Sequence, residues 1–206
     1  LGDVYKRQEH TDAILKALDQ NDVRCTFFMV EFWTTKYPDL VKKIAGGGHA
    51  IGTHSTTHSY MSKLTEAQIE EELTRSSMAI KAVTGEEVTL FRPPYGDYDD
   101  LLIETAERLG LYTIQWDVDS LDWKDYDAAT ITQRVTSSVG PGSIVLFHNA
   151  ALHTPEALPA ILETLLQEGY TFVPISELIL PGEYNVDYTI DHTGRQLPAQ
   201  PSSSPR

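Results

Sequence analysis

The stretch HAIGTHSTTH, residues 49–58, decides how the rest of this chain is interpreted. Residues 49–53 have the length and apolar content of a short buried strand, and His54 and His58 follow that strand. Two histidines four residues apart can direct both imidazoles at one metal ion. Two solvated loop histidines would have the same spacing. Because the pair follows a strand, in a Ser- and Thr-rich loop able to supply supporting hydrogen bonds, metal ligation is an equally good interpretation.

Strand-like and helix-like segments alternate on both sides of this stretch. We predict strands at residues 24–30, 49–53, 88–91, 111–116, 143–147 and 171–173, and helices that begin near residues 11, 38, 65, 98, 128 and 154. Strands separated by helices of about 10–15 residues pair in parallel. With a further strand expected before residue 9, the pattern predicts an α/β fold closed into an irregular barrel. The chemistry of such barrels lies beyond the C-terminal ends of the strands.

Composition limits the possible classes of function. A chain of 206 residues with 41% apolar content is expected to form one domain. The net charge of −14 and the pI of about 4.8 oppose binding to nucleic acid or anionic lipid. The single cysteine, Cys25, cannot form an internal disulfide and lies in an apolar run, which predicts a core residue. The sequence predicts no membrane segment in this chain.

Three segments differ in pattern. Residues 1–8, LGDVYKRQ, lack a strand pattern and are interpreted as a non-native start translated from adaptor or assembly sequence. Residues 9–180 carry the alternating segments and form the predicted domain. Residues 181–206 are polar and rich in Pro and Ser, which predicts a tail or linker without a fixed fold.

A stiff loop follows the predicted strand 88–91. Arg92 and Tyr95 lie in RPPYG, residues 92–96, where two prolines restrict the backbone. Such a loop can hold a backbone N–H ready for an oxyanion, and arginine is a permanently charged partner for a carboxylate. The alternative interpretation is a rigid turn with a surface arginine.

Acidic and histidine residues follow two later strands. In DVDSLDW, residues 117–123, a carboxylate such as Asp122 can orient a histidine, and Trp123 can form the wall of a sugar pocket. His148 ends an apolar strand, and histidine titrates near neutral pH, as a general acid requires. A solvated acidic loop and a core histidine are the alternatives. Metal, acid and pocket candidates at successive strand ends together favour an active site.

The ordered set of motifs resembles the polysaccharide deacetylase family, also called carbohydrate esterase family 4 or the NodB-homology domain. The resemblance covers residues 9–180. The matching motifs are TFF at 26–28, HSTTH at 54–58 for H-[ST]-x-x-H, RPPYG at 92–96 for R-x-P-[YF], DSLDW at 119–123 for D-x-x-D-[WY], and LFH at 146–148 for L-x-H.

This resemblance implies a distorted (β/α)7 barrel that hydrolyses N-acetyl groups, or in some members O-acetyl groups, with a divalent metal, usually zinc or cobalt. His54 and His58 would hold the metal together with an aspartate. Tyr95 would donate its backbone N–H to the oxyanion. His148 would protonate the leaving amine while Asp122 holds it in place.

The same resemblance assigns the remaining site residues. Arg92 would orient the catalytic base, and Trp123 and Leu146 would line the acetyl pocket. The first family motif, T-F-D-D-G, supplies the base and the metal aspartate, and the chain departs from it. By spacing, Asp3 lies where the base is expected, whereas Val4 takes the place of the metal aspartate and cannot ligate.

The resemblance therefore predicts an enzyme acting on carbon–nitrogen bonds other than peptide bonds. Its partner would be an acetylated glycan, peptidoglycan or chitin-like N-acetylglucosamine polymer, in the extracellular space or bacterial cell envelope. We expect a monomer that binds no nucleic acid. Two alternatives stay open: a glycan-binding pseudoenzyme without base and third ligand, and a deacylase of O-acetyl groups or small amides on the same scaffold.

Overall fold

A computed structural model describes residues 8–179, 188–190 and 196–198 of the chain. The helices are α1 (Gln8–Gln20), α2 (Glu31–Lys36), α3 (Pro38–Gly46), α4 (Glu66–Thr84), α5 (Asp100–Arg108), α6 (Ala128–Thr136), α7 (Thr154–Gln167) and α8 (Ile175–Leu178). The strands are β1 (Thr26–Met29), β2 (Ala50–Thr53), β3 (Leu90–Phe91), β4 (Tyr112–Thr113), β5 (Val118–Asp119), β6 (Val145–Leu146), β7 (Tyr188–Ile190) and β8 (Gln196–Pro198). Short 3₁₀ helices cover Met61–Lys63, Pro94–Gly96 and Asp122–Lys124.

The described residues belong to two compact units. The β1–β4 unit consists of Asp22–Gln115 and Phe172–Ser176, and the β5–β6 unit consists of the described residues of Leu1–Asn21, Trp116–Thr171 and Glu177–Arg206. Both contain parallel strands joined by helices, so the predicted α/β class is confirmed. Closure into a barrel stays a prediction. Of the helices described, none has the length and apolar content needed to cross a bilayer.

Strands β1 to β4 pair in parallel in sequential order. Thr53 pairs with Phe91, so the residues that follow β2 and β3 leave the sheet at the same edge. Residues of α4, α5 and the neighbouring segments bury a cluster around β3: Met61, Ile69, Leu73, Phe91, Leu102, Ala106 and Leu111. This packing fixes the position of the loops after β2 and β3.

Helix α4 begins and ends as its sequence predicts. Thr65 and Gln68 form a capping box, in which the Thr65 N–H donates to Gln68 Oε1 at 2.9 Å. The helix ends at Gly85, whose φ of 80° is the left-handed conformation that favours glycine. The 19-residue helix packs against β2, beside the loop that carries His54 and His58.

The second unit is built around β5 and β6, which pair in parallel with Asp119 opposite Leu146. The Asp117 carboxylate stabilises this pairing, because Oδ1 accepts from the Ile144 N–H at 2.7 Å and Oδ2 accepts from the Ser143 hydroxyl at 2.8 Å. Helices α1 and α6 pack against α7. The loops that follow β5 and β6 therefore begin at the same edge of this small sheet.

Two strand predictions are wrong. Residues 111–116 do not form one strand, because β4 ends at Thr113 and β5 pairs in a different sheet. Residues 171–173 form no strand in the described structure. Pro174 has no N–H to give to a ladder, and the chain instead reaches β1 through the Ile175 N–H, which donates to the Thr26 hydroxyl at 2.9 Å.

Two elements were not predicted. Helix α2 has six residues, and its N-cap, Val30, offers no capping side chain, so the usual start signal is missing. Strands β7 and β8 pair antiparallel within residues 181–206, and the assignment of this segment as a tail or linker stays a prediction.

Candidate active site

His54 and His58 lie close together in the loop after β2, with ring centroids 4.8 Å apart and an interplanar angle of 76°. His54 Nδ1 lies 2.7 Å from the backbone carbonyl oxygen of Arg92. Because a carbonyl only accepts, we assign the proton to Nδ1 and the lone pair to Nε2. A histidine oriented in this way has the arrangement that metal-ligating histidines commonly use.

The loop between these histidines turns sharply. Ser55 and His58 are both in the left-handed region, with φ of 71° and 59°. This conformation is unfavourable for residues with a Cβ atom, so the loop needs local support. The Ser55 N–H donates to Thr53 Oγ1 at 3.2 Å, and the His58 N–H donates to Ser55 Oγ at 3.0 Å. The turn places the second imidazole beside the first.

Helix α4 anchors the same loop with two side chains. The Glu72 carboxylate accepts three hydrogen bonds, from the N–H groups of Thr56 and Thr57 at 2.9 and 2.8 Å and from the Thr57 hydroxyl at 2.6 Å. The Thr56 hydroxyl donates to the Glu72 backbone carbonyl at 3.0 Å. One turn further along α4, the buried Ser76 hydroxyl lies 2.5 Å from Thr53 Oγ1.

Glu72 and Ser76 were not predicted as site residues from the sequence. Glu72 lies in the acidic run 70–72, which is typical of a solvated helix face. The available signal was the spacing of four residues, which places both side chains on one side of α4. That spacing becomes informative only when the loop they face is known.

Tyr95 lies next to the histidine pair, in the loop after β3. Its φ of 62° and ψ of 4° are left-handed, and it follows Pro94. Its ring stacks on Tyr60 at 4.2 Å and 13°, and meets His58 edge-on at 4.6 Å and 78°. These ring contacts hold Tyr95 beside His58 although 56% of its surface is exposed.

Arg92 is buried, so the alternative of a surface arginine is wrong. Its guanidinium carbon lies 4.3 Å from the centroid of the Phe28 ring, whose face attracts a cation. Burial lowers the pKa of Arg92 to about 10, which still leaves the side chain charged at neutral pH. The β1–β4 unit therefore holds a buried positive charge next in sequence to β3.

Asp122 and His148 form a direct pair in the β5–β6 unit. His148 Nδ1 lies 2.7 Å from Asp122 Oδ1, and the His148 backbone N–H donates to Oδ2 at 2.8 Å. The Thr154 hydroxyl donates to the same oxygen at 2.5 Å. Burial of the Asp122 carboxyl acts to raise its pKa, but the hydrogen bonds and charge of His148 and the Thr154 hydroxyl outweigh burial and lower it.

This lowered pKa predicts how Asp122 contributes to stability. The carboxyl of an unfolded chain titrates near pH ~4, and the folded pKa lies below that value. The unfolded state then binds more protons, so the contribution is complete above about pH 4 and is lost as the pH falls through the folded pKa. We expect Asp122→Asn to cost about 1–3 kcal/mol at neutral pH, because an amide NH₂ would face hydrogen-bond donors.

Urea unfolding between pH 7 and pH 2.5 measures this cost, and the difference between wild type and Asp122→Asn should shrink below about pH 4. Asp125→Asn is the matched control, since Asp125 is exposed and left-handed, a conformation that Asn tolerates. A difference that stayed constant down to pH 2.5 would contradict the lowered pKa.

Trp123 and Leu146 are near this pair along the chain. Trp123 follows Asp122 directly, is 55% exposed, and has Lys124 Nζ 5.1 Å from its ring centroid. Leu146 is in β6 and is partly buried. The predicted base, Asp3, lies outside the described residues, so its role stays a prediction.

The structure thus forms two groups of the predicted residues: His54, His58, Arg92 and Tyr95 in the β1–β4 unit, and Asp122 with His148 in the β5–β6 unit. The sequence model of the polysaccharide deacetylase family matches residues 2–114. The chain belongs to the polysaccharide deacetylase family.

Curated relatives of this deacetylase-family chain include peptidoglycan deacetylases. A peptidoglycan-N-acetylglucosamine deacetylase from Bacillus cereus is 34% identical, with 82% of this chain and 82% of that protein covered. PgdA, a peptidoglycan-N-acetylglucosamine deacetylase from Listeria monocytogenes, is 34% identical over 82% of this chain. YlxY from Bacillus subtilis is 33% identical over 83% of this chain. The chain spans only 35% of the length of PgdA and 53% of YlxY.

Solved structures give the same family and include a pseudoenzyme. A family 4 carbohydrate esterase pseudoenzyme from Bacillus anthracis has a TM-score of 0.81 and 33% identity, covering 84% of this chain and 62% of its own. A mutant of it is described as having restored enzymatic activity. A family 4 carbohydrate esterase from Streptomyces lividans, in complex with acetate, has a TM-score of 0.74 and 36% identity, covering 78% and 83%.

Members of this deacetylase family are generally metal-dependent. His54 and His58 fit such an ion by donor type, and the His54 tautomer places its lone pair on Nε2. Residues 8–179 and the two short strands that follow contain no cluster of three or more His, Cys, Asp or Glu side chains able to hold a metal. The two histidines are therefore a partial ligand set, and Val4 lies outside the described residues.

Proposed function

We propose that this deacetylase-family chain hydrolyses N-acetyl groups of amino-sugar polysaccharides, either peptidoglycan or a chitin-like N-acetylglucosamine polymer. The observation that carries the proposal is the fully buried Asp122 carboxylate 2.7 Å from His148 Nδ1. Hydrolysis of an amide must deliver a proton to the departing nitrogen, and an oriented imidazole can do so. The relatives named as peptidoglycan deacetylases support this substrate class and a location in the cell envelope or extracellular space.

His148 is the general acid in this proposal. Because Nδ1 faces Asp122, Nε2 is the nitrogen that gives its proton to the leaving amine. Ionised Asp122 fixes the orientation of the ring and stabilises the imidazolium before the proton is transferred. The Thr154 hydroxyl and the His148 backbone N–H hold the carboxylate in place for this role.

Four residues would position the acetyl group and the attacking water. Tyr95 donates its backbone N–H to the oxyanion, and the left-handed conformation set by the Pro93–Pro94 loop presents that group. Trp123 and Leu146 line the acetyl pocket. The buried charge of Arg92 orients the base, which we assign to Asp3.

His54 and His58 would hold a divalent ion, zinc or cobalt. When bound, such an ion would polarise the acetyl carbonyl and lower the pKa of the attacking water. The carbonyl of Arg92 orients His54 toward this role, and the turn at Ser55 brings His58 beside it. Val4 stands where the family has a ligating aspartate, so the chain's own residues give weaker binding than the complete family set.

Release of acetate and free amine from chitopentaose and peptidoglycan fragments, in Zn²⁺ or Co²⁺ and then in chelator, tests the proposal. We expect chelator-sensitive release, and we expect Val4→Asp to raise it by about 10-fold or more because a carboxylate completes the ligand set. Val4→Asn is the matched control and should give no such gain. If neither the chain nor Val4→Asp released acetate from any N- or O-acetylated glycan, the enzyme proposal would be wrong.

A second candidate is a glycan-binding pseudoenzyme. Val4 and the similarity to the Bacillus anthracis pseudoenzyme favour it. It predicts calorimetric binding of chito-oligosaccharides that neither chelator nor His148→Ala changes, whereas metal-dependent binding would contradict it.

A deacylase of small amides or O-acetyl groups would instead turn over small acetamides or O-acetylated substrates and leave N-acetylated polymers intact.

A further inference from the structure

Glu72 in helix α4 is the side chain that holds the loop between His54 and His58. Its two carboxylate oxygens accept hydrogen bonds from the N–H groups of Thr56 and Thr57 and from the Thr57 hydroxyl, at 2.6 to 2.9 Å. The carboxylate is an acceptor at both oxygens, so a single rigid group ties down two consecutive residues of the loop. Those two residues lie between the histidines.

The negative charge of Glu72 is stabilised by hydrogen bonds from backbone N–H groups rather than by a cation. Among the described residues, no Lys or Arg forms an ion pair with this carboxylate. Hydrogen bonds from N–H groups to an ionised carboxylate are stronger than those between neutral groups. The neighbouring Glu71 differs, because it is exposed and pairs with Arg75 four residues along the helix.

The loop needs this support because its own backbone conformation is unfavourable. Ser55 and His58 both have positive φ values. Further support comes from the Thr53 and Ser55 hydroxyls and from the Glu31 N–H, which donates to the Ser55 carbonyl at 3.2 Å. Glu72 and Ser76 contribute the hydrogen bonds that come from α4.

We propose that Glu72 is a positioning residue that sets the spacing of His54 and His58 and thereby the affinity of the chain for a divalent ion. This inference rests on the proposed metal-dependent function. Glu72 acts through the loop backbone: with the Thr56 and Thr57 amides fixed, the two imidazoles keep their 4.8 Å separation before any ion binds. Supporting residues of metal ligands typically change affinity by about 10- to 100-fold when mutated.

Calorimetric titration of Zn²⁺ and Co²⁺ into Glu72→Gln measures this role. The glutamine keeps the length of the side chain, and its carbonyl oxygen can still accept from both N–H groups in the place of Oε2. It removes the negative charge that strengthens these hydrogen bonds, and its NH₂ group replaces the oxygen that accepts from the Thr57 hydroxyl. We expect the affinity to fall by about 2- to 10-fold, because hydrogen bonds to a neutral amide are weaker than those to a carboxylate, and the Co²⁺ absorption spectrum to change because the loop is held less firmly. Glu71→Gln is the matched control and should bind both ions like the unmodified chain.

Thr57→Val is a second variant that keeps Glu72 itself and removes the 2.6 Å contact of the Thr57 hydroxyl with its carboxylate, together with the 2.7 Å contact of the same hydroxyl with Ser59 Oγ. It should weaken ion binding by about 2- to 10-fold, and it keeps the proposal testable if Glu72→Gln does not fold. Unchanged affinity and unchanged Co²⁺ spectrum in a folded Glu72→Gln, or in Thr57→Val, would overturn the proposal.

The two proposals fail in different ways. Ion binding by the unmodified chain, sensitive to Glu72→Gln but without any acetate release, would remove the proposed enzyme activity and leave the role of Glu72 standing. Acetate release by the unmodified chain, together with full ion affinity in Glu72→Gln, would remove the role of Glu72 and leave the proposed enzyme activity standing. Failure of the unmodified chain to bind either ion would overturn the positioning role as well.

Discussion

Replacement of His148 by alanine is expected to lower the rate of deacetylation by about 100-fold or more. The imidazole is the group that we assign to protonate the leaving amine. Among the described residues, His148 is the titratable side chain that pairs with the buried Asp122 carboxylate. The measurement is the initial rate of amine release from chitopentaose under saturating Zn²⁺ or Co²⁺, in the Val4→Asp background if that variant is the more active.

His153→Ala provides the matched control for this prediction. Both histidines place Nδ1 near an acidic side chain, but His153 pairs at 3.2 Å with Glu156, whose side chain is 71% exposed, whereas the Asp122 side chain is 0% exposed. Only the buried pair has its geometry fixed by its surroundings. His153→Ala should keep the rate of the unmodified chain, and both variants should bind glycan equally. Equal rates for His148→Ala and the unmodified chain would contradict the assignment of His148 as the acid.

Gly52→Ala should cost about 3 kcal/mol or more in free energy of unfolding. A Cβ atom at this position would lie 2.6 Å from the Phe28 ring and 2.8 Å from the Leu90 backbone carbonyl oxygen. The carbonyl belongs to β3 and cannot move without disturbing the parallel pairing that carries the two loops. The measurement is chemical denaturation of the variant in the absence of metal.

Gly46→Ala is the matched control for this effect, because a Cβ atom at Gly46 would meet no atom within 4 Å. Gly46 is the last residue of α3, where alanine is a better helix former than glycine. We therefore expect a change close to zero or slightly stabilising. If Gly52→Ala unfolded at the same denaturant concentration as Gly46→Ala, the close packing of β1, β2 and β3 would be wrong.

Part of the fold could be predicted because local sequence and local structure agree. The Thr65 capping box, the Gly85 helix end and the apolar runs of β1 and β2 each follow from a few neighbouring residues. The strands after β2 are harder to predict: β3 to β6 have two residues each, too few for a periodic pattern to define their limits. Residues 111–116 show this, since their apolar character continues after the chain has left one sheet.

The ordered motifs located the candidate site because its residues lie in the segments that follow strands β2, β3, β5 and β6. His54, His58, Arg92, Tyr95, Asp122 and His148 were all predicted as site residues from their types and positions, and their roles stay proposals. The pairing of Asp122 with His148 was expected from the resemblance, and the structure confirms the contact at 2.7 Å. The burial of Arg92 was open in the sequence and is decided by Phe28 and the surrounding core.

The sequence by itself determined the family, the α/β class and the chemical types of the site residues, because these depend on motifs and periodic patterns that neighbouring residues carry. Only the tertiary structure decided what supports the HAIGTHSTTH stretch. Glu72 and Ser76 lie 18 and 22 residues after His54 in the sequence. Nothing in the sequence distinguishes them from other polar residues of a solvated helix. They become part of the site because α4 packs beside β2, and hydrogen bonds across that packing depend on distance in space rather than on separation along the chain.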